Sequence, residues 1–463
     1  MASRKRQQGK GFKYFLAAAL GALVIGAAVW LVFSGFEGGE PRIELNMEDE
    51  YISEDHRIEG EAWDEKSGIR RIRITLVQDE SEDVLMDEQY GKDESAGKHD
   101  PQGFSVDMDP RELGVSDGKV LLRVEAWDYS WRNGFSGNSA ISEKDLVVDT
   151  TSPHVEVLTN QHNVSQGGAG LIAYRLSEDC PKHGVSVDGH FFPGYSGYFD
   201  DPGICIAFFG LAHDQEADAD MYVEAEDRAG NTGRSGFPVH LRQRRFKSAT
   251  LDITDGFLKK ILPKFHNEEG FPEDESPVDQ FLFVNRDLRK KNNETILSPG
   301  EQSDSDMHWE GSFLQLPNSE RMAGFADRRS YMHKGSEIDK QVHMGTDLAS
   351  VRHAPVPAAN GGRVAFAGRA GIYGNVVTID HGFGVFSVYA HLSRADVSQG
   401  DEVDKGEIVG VTGTTGLAGG DHLHYGMFVN DIFVEPMEWW DGSWIENNVT
   451  QKLDKVKEMA EEK

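Results

Sequence analysis

Between Tyr14 and Phe33 the chain runs for twenty residues without a charged side chain, YFLAAALGALVIGAAVWLVF. A helix of that length, at about 1.5 Å per residue, spans about 30 Å, the depth of a bilayer's hydrocarbon core. Arg4, Lys5, Arg6, Lys10 and Lys13 precede the run, and no acid does. A cleavable leader usually has a shorter apolar stretch, about 7–15 residues, and a small-x-small cleavage site. Here the run ends in Val32-Phe33-Ser34-Gly35-Phe36. Residues 1–36 therefore read as a cytoplasmic basic stub and an uncleaved transmembrane anchor, with residues 37–463 exported. A cleaved signal peptide is the alternative, and it puts the body on the same side. Export permits a disulfide between the only cysteines, Cys180 and Cys205; two buried thiols are the other reading.

The remainder is too long for one core, since single cores rarely exceed about 250–300 residues. Acids outnumber bases by 78 to 47, a net charge of −31, which disfavours nucleic acid as a partner. Two cysteines exclude a disulfide-dense scaffold and any multi-cysteine metal site.

Three segments share a pattern: Glu61-Ala-Trp-Asp64, Glu125-Ala-Trp-Asp128 and Glu224-Ala-Glu-Asp227. The second and third follow alternating runs, Val120–Val124 and Met221–Val223, so each reads as a strand entering a turn. Their separation of about 100 residues is the length of one β-sandwich. The expectation is two immunoglobulin-like β-sandwich modules, at 41–150 and 151–246, joined through Asp149-Thr-Thr-Ser-Pro153. Acidic turns admit a calcium reading; the plainer one is that aspartate caps the turns. Residues 247–319 read as a helical connector, with helices around Phe257–Leu262 and Phe281–Leu288. Ile445, Val449, Leu453, Val456 and Met459 recur at helical spacing and predict a C-terminal helix over 444–463, packed on the last domain.

Between 320 and 443 the pattern is short glycine-bounded strands: Gly362–Ala367, Asn375–Asp380, Val385–Tyr389 and Glu407–Val411. That predicts an antiparallel β domain and makes the whole chain mostly β. Histidines concentrate here. His343 stands four residues before Asp347, His391 follows a strand, and His422 and His424 lie at i and i+2, on one face of a strand. A catalytic zinc ion needs three N/O ligands and an open fourth position. Four histidines and one aspartate can supply those ligands and leave two imidazoles for proton transfer. His381 reads as structural in a turn, and His353 as a residue at the rim. His308 and His333 have no partner at a useful spacing. Gly413–Gly420 lacks the Lys-Ser/Thr ending of a phosphate loop and reads as a groove wall. Trp439 and Trp440 read as packing residues.

Together, His343-Met-Gly-Thr-Asp347, Tyr389-Ala-His391-Leu-Ser and Gly420-Asp-His422-Leu-His424-Tyr resemble the three signatures of the lysostaphin-type (LytM-like) zinc endopeptidases. Ala354–Ala359, the glycine-bounded run ending at Gly382 and Gly400–Gly410 resemble that family as well. The resemblance covers about 120 residues. It implies one zinc ion per chain, held by His343, Asp347 and His424, with His391 and His422 as the catalytic pair. It further implies a metalloprotease, a hydrolase of peptide cross-links or stem peptides in bacterial peptidoglycan. The enzyme would be anchored in the inner membrane by a single pass, with its amino end cytoplasmic and its catalytic domain periplasmic. Some relatives have lost ligands and act as non-catalytic wall-binding or amidase-activating factors; here all five residues are present. One departure is visible: many relatives carry an acid two residues after the last motif histidine, where this chain has Gly426.

Overall fold

The computed structural model describes residues 10–36, 38–47, 50–53, 56–91 and 101–462. Arg4, Lys5 and Arg6 of the basic stub lie outside the described residues. The apolar run forms one helix, Lys10–Gly35. Its segment Phe12–Phe33 has a mean hydropathy of 2.5, and none of it is buried, so it is long and apolar enough to cross a bilayer.

The structure is mostly β and divides into two compact units, residues 1–151 with 228–231, and residues 152–227 with 232–463. In the first unit, Arg42–Leu45, His56–Trp63 and Gln102–Met108 form a three-stranded sheet. Tyr51–Ile52, Ser139–Val148, Gly118–Asp128, Ile69–Gln78 and Ser81–Gln89 form a sheet of five. Along Gly118–Asp128 every second side chain is buried, so Val120, Leu122, Val124 and Ala126 join Ile58, Ile72 and Ile74 in one core. Two aspartates of the repeated pattern, Asp64 and Asp128, cap turns. Asp64 Oδ1 accepts from the backbone N–H of Lys66 at 3.0 Å and of Ser67 at 2.6 Å. Asp128 Oδ1 accepts from Ser130 at 3.0 Å and Asn138 at 2.7 Å.

In the second unit an antiparallel eight-stranded sheet carries the histidines. Its order is Glu320–Ala323, Thr346–Ala349, Leu423–Val429, Val385–Leu392, Gly374–Asp380, Gly362–Ala370, Glu402–Val403, and Ile432–Val434 pairs with Leu423–Val429 at the side. The strands anticipated from the glycine-bounded runs are present, extended at Gly362–Ala370 and Val385–Leu392. Strands from 155 to 242 lie in the same unit and share its core: Phe208, Trp309 and Trp439 meet with ring centroids 5.6–6.1 Å apart. Cys180 and Cys205 are buried free thiols, and burial pushes both up to about 12.

The connector begins with the strand Ser248–Asp252, parallel to Arg328–His333. The helix Asp255–Ile261 follows, started by the Thr254 hydroxyl, which accepts from Phe257 N–H at 3.1 Å. Its buried face is Leu258 and Ile261. Pro277–Phe283 continues through a π turn, Val284–Leu288, into Arg289–Leu297. At the C-terminus Ile445, Val449, Leu453 and Val456 are buried, whereas Met459 is exposed. That helix rests on the strand Ala169–Leu176, where Lys452 Nζ donates to Leu171 O at 3.0 Å. Sequence spacing identifies the apolar stripe but not the surface that covers it.

Glu438 lies in this shared core, its Oε2 accepting from Ala169 N–H at 2.9 Å. Burial pushes its carboxyl up to about 7, helped by Glu435 nearby. An unfolded glutamate titrates near about 4.3, so the folded state favours the protonated form. That preference stabilises the fold at low pH and is lost as pH rises through 7. Glu438→Gln keeps an acceptor and removes the charge. It should therefore leave stability unchanged near pH 4 and raise it by about 3 kcal/mol above pH 7. Denaturant unfolding of wild type and variant at pH 4 and pH 8 checks this; equal differences at both would refute it.

Candidate metal centre and catalytic groove

Three neighbouring strands bring the predicted residues together. Thr346–Ala349 pairs with Leu423–Val429 so that Asp347 lies opposite His424, and Val385–Leu392 pairs on the other side with Ala390 opposite His424. His343 enters from the segment after Ser336–Val342. His422 bridges to Gly413 just before its strand and shares a face with His424.

His391 reaches the group through a bulge. Asn375 pairs with Leu392 and Val377 with Tyr389, so Ala390 and His391 together face Val376 alone. The extra residue kinks the strand, and His391 takes φ +60. A non-glycine side chain in the left-handed region is strained, and such strain gathers at sites that use it to aim a side chain. The His391 ring lies 4.8 Å from His422 and 5.8 Å from His424, centroid to centroid.

The tautomers follow from partners that can only accept. His343 Nδ1 lies 2.8 Å from Gly324 O, so it carries the hydrogen and leaves a lone pair on Nε2. His391 Nδ1 donates to Thr415 O at 2.9 Å, and His422 Nδ1 to Gly420 O at 2.8 Å. In its neutral form each therefore presents Nε2 as a lone pair. His424 faces inward through Nδ1, while its Nε2 is buried without a partner among the described residues. Gly345 closes over that ring; a Cβ there would lie 2.6 Å from His424 Nε2.

His343 Nε2, Asp347 Oδ1 and His424 Nδ1 form a triangle with edges of 2.9, 3.0 and 3.0 Å. Two corners are fixed acceptors, and the third supplies at most one hydrogen. So electron-rich a cluster fits a cation. The edges approach those of a tetrahedron around a small divalent ion, about 3.3 Å for bonds of about 2.0 Å. These three residues form one of the candidate metal groups among the described residues, all buried or nearly so. Burial alone would raise the Asp347 carboxyl, but His343, His422 and His424 hold it well below the usual range. Burial, with His422 and His424 beside it, holds His391 well below the usual imidazole range, and burial brings His424 down to about 4. Burial would lower His422 too, but Asp347, with Oδ1 3.6 Å from Nε2, leaves it raised.

Sequence reasoning missed Arg329, on the strand Arg328–His333. Its guanidinium donates to Asp347 Oδ2 at 3.0 Å, leaving Oδ1 for the cluster. A lone arginine has no spacing signal to mark it. Backbone carbonyls, not an acid after His424, orient His343, His391 and His422; a Cβ on Gly426 would lie 3.4 Å from Met344 O. The other histidines stand apart. His381 is buried, donating to Gly361 O and bonded to Ser387, a structural role. His308 pairs with Asp304, and His333 bonds Ile253 O. His353 is half exposed, and its ring lies 3.6 Å from Asp421. Trp439 is fully buried.

Residues 341–436 match peptidase family M23. The chain is 43% identical over 97 residues to the DD-carboxypeptidase/endopeptidase Mpg of Neisseria meningitidis serogroup B, covering 21% of this chain and 22% of that protein. To the peptidoglycan DD-endopeptidase ShyA of Vibrio cholerae it is 36% identical over 96 residues, 21% of this chain and 22% of that one. The catalytic domain of lysostaphin from Staphylococcus simulans aligns with 28% of this chain and 98% of its own, at 29% identity and a TM-score of 0.25. The chain thus spans about a fifth of the length of the curated relatives it matches.

Proposed function

Since the chain carries a peptidase family M23 domain over residues 341–436, we propose that it is a membrane-anchored, zinc-dependent endopeptidase that hydrolyses peptide cross-links or stem peptides of peptidoglycan. The triangle of His343 Nε2, Asp347 Oδ1 and His424 Nδ1, with two imidazoles beside it, carries the reading. Those three residues would hold one zinc ion. Bound there, zinc supplies Lewis acidity, bringing the pKa of a water towards about 7 and polarising a carbonyl. In their neutral forms His391 and His422 each present an unprotonated Nε2. Between them they take the proton of the attacking water and deliver it to the leaving amine. In its protonated state, either imidazole donates to the oxyanion that forms at the scissile carbonyl. Arg329 holds Asp347 in place, and the Thr415 and Gly420 carbonyls fix the two tautomers.

The helix Lys10–Gly35 would anchor the chain in the inner membrane, with the basic amino end cytoplasmic and the remainder periplasmic. We read 41–150 and 151–246 as β modules, 247–319 as connector and 320–443 as the peptidase region. The substrate assignment rests on what Mpg and ShyA are named for.

Purified full-length protein should bind one zinc per chain and release new amino termini from peptidoglycan. A chelator should abolish that release and added zinc restore it. Release that a chelator leaves untouched would overturn the zinc-dependent reading; none at all with zinc bound would favour a non-catalytic wall-binding role.

A further inference from the structure

The glycine-rich segment Gly413–Gly420 supplies both carbonyls that orient the catalytic imidazoles, Thr415 O to His391 and Gly420 O to His422. What holds it comes from outside the region that matches the family. Lys264, just after the helix Asp255–Ile261, places its ammonium against three carbonyls of this segment: Thr414 O at 2.7 Å, Gly416 O at 3.0 Å and Ala418 O at 3.3 Å. The three hydrogens of an ammonium match three acceptors. The carbonyls of 414, 416 and 418 turn to Lys264 while that of 415 turns to His391.

The clamp is itself anchored. Arg369 donates to Lys264 O at 2.8 Å, and Leu258, Ile261 and Leu262 are buried. The lysine is partly buried, and burial lowers its pKa. Thr415 Oγ1 adds two further ties, accepting from Asn375 N–H at 2.9 Å and donating to Leu392 O at 2.8 Å.

We propose that Lys264 is a positioning residue for the peptidase reaction, setting the peptide planes of 414–418 so that the Thr415 carbonyl holds His391 in the reactive tautomer. It touches neither substrate nor metal. This rests on the peptidase reading above.

The test compares Lys264→Met, Lys264→Gln and Lys264→Arg in the full chain, acting on solubilised cross-linked muropeptides. Partners that orient a ligand or base typically matter about ten- to a hundredfold. Lys264→Met should lower kcat by about that factor, with KM within about twofold and one zinc per chain retained. Lys264→Arg, which keeps several donors, should recover most of the loss, and Lys264→Gln should fall between. Lys259→Met, an exposed site on the same helix with the same change in charge, should match wild type. Full kcat in Lys264→Met overturns the proposal; if that variant does not fold, full kcat in Lys264→Gln does so. Nitrogen NMR of 15N-histidine-labelled protein gives a readout independent of turnover. Wild type should show the Nδ1–H tautomer at His391 and His422, and Lys264→Met a mixture at His391. An inactive wild type would sink the peptidase reading alone; unchanged tautomers in Lys264→Met would sink this one.

Discussion

His343→Ala should lose its zinc, whereas His391→Ala should keep it and lose turnover. The two residues differ in what their Nε2 atoms face. His343 Nε2 lies 2.9 Å from Asp347 Oδ1 and 3.0 Å from His424 Nδ1, at a corner of the donor triangle. The His391 ring is packed beside the triangle, its Nδ1 committed to Thr415 O. Removing a corner leaves two donors, too few for a zinc site of this kind. Removing His391 leaves the triangle whole but deletes a proton carrier, an effect of about 10²–10⁴ on rate. Metal analysis of both purified variants, beside release of amino termini from peptidoglycan, separates the outcomes. Stoichiometric zinc in His343→Ala, or wild-type turnover in His391→Ala, would overturn the assignment.

A single methyl group should be nearly as damaging at Gly345. Its Cβ would lie 2.6 Å from His424 Nε2 and 2.7 Å from Tyr425 O. The carbonyl belongs to the central strand Leu423–Val429 and cannot retreat, so the His424 ring must move. Asp347 lies opposite His424 in the pairing, and any shift of the ring opens the triangle. Gly345→Ala should weaken zinc retention by at least about tenfold, by analogy with lost orienting partners. The strain should cost about 1–3 kcal/mol of stability, as overpacking generally does. Titration with a graded series of chelators, with thermal unfolding alongside, measures both. Wild-type zinc retention would show that the ring has room to adjust.

The contrast between these residues explains what the sequence could reveal. Histidine and aspartate announce themselves, because their chemistry is rare and the spacings i, i+2 and i, i+4 restrict them to one face of a strand or one turn of chain. The strands were legible for a similar reason: Gly374–Asp380 and Val385–Leu392 are β-branched, apolar and bounded by glycine. The orienting partners were not. Gly324, Thr415 and Gly420 act through their main-chain oxygens, which every residue possesses, and Arg329 and Lys264 become informative only when folding brings them to Asp347 and to 414–418. The bulge at Ala390–His391 leaves no mark in composition. Alternation marked the strand at Met221–Val223 but not the core that it joins.

Because Phe208 packs on Trp439, and the C-terminal helix is bonded through Lys452 to Leu171, the histidine-bearing sheet is not a detachable cassette bounded at 320 and 443. Recombination at those points would strand an aromatic surface on each fragment. A truncation that keeps the histidine-bearing sheet must therefore keep residues 152–227 as well, since the two share one core.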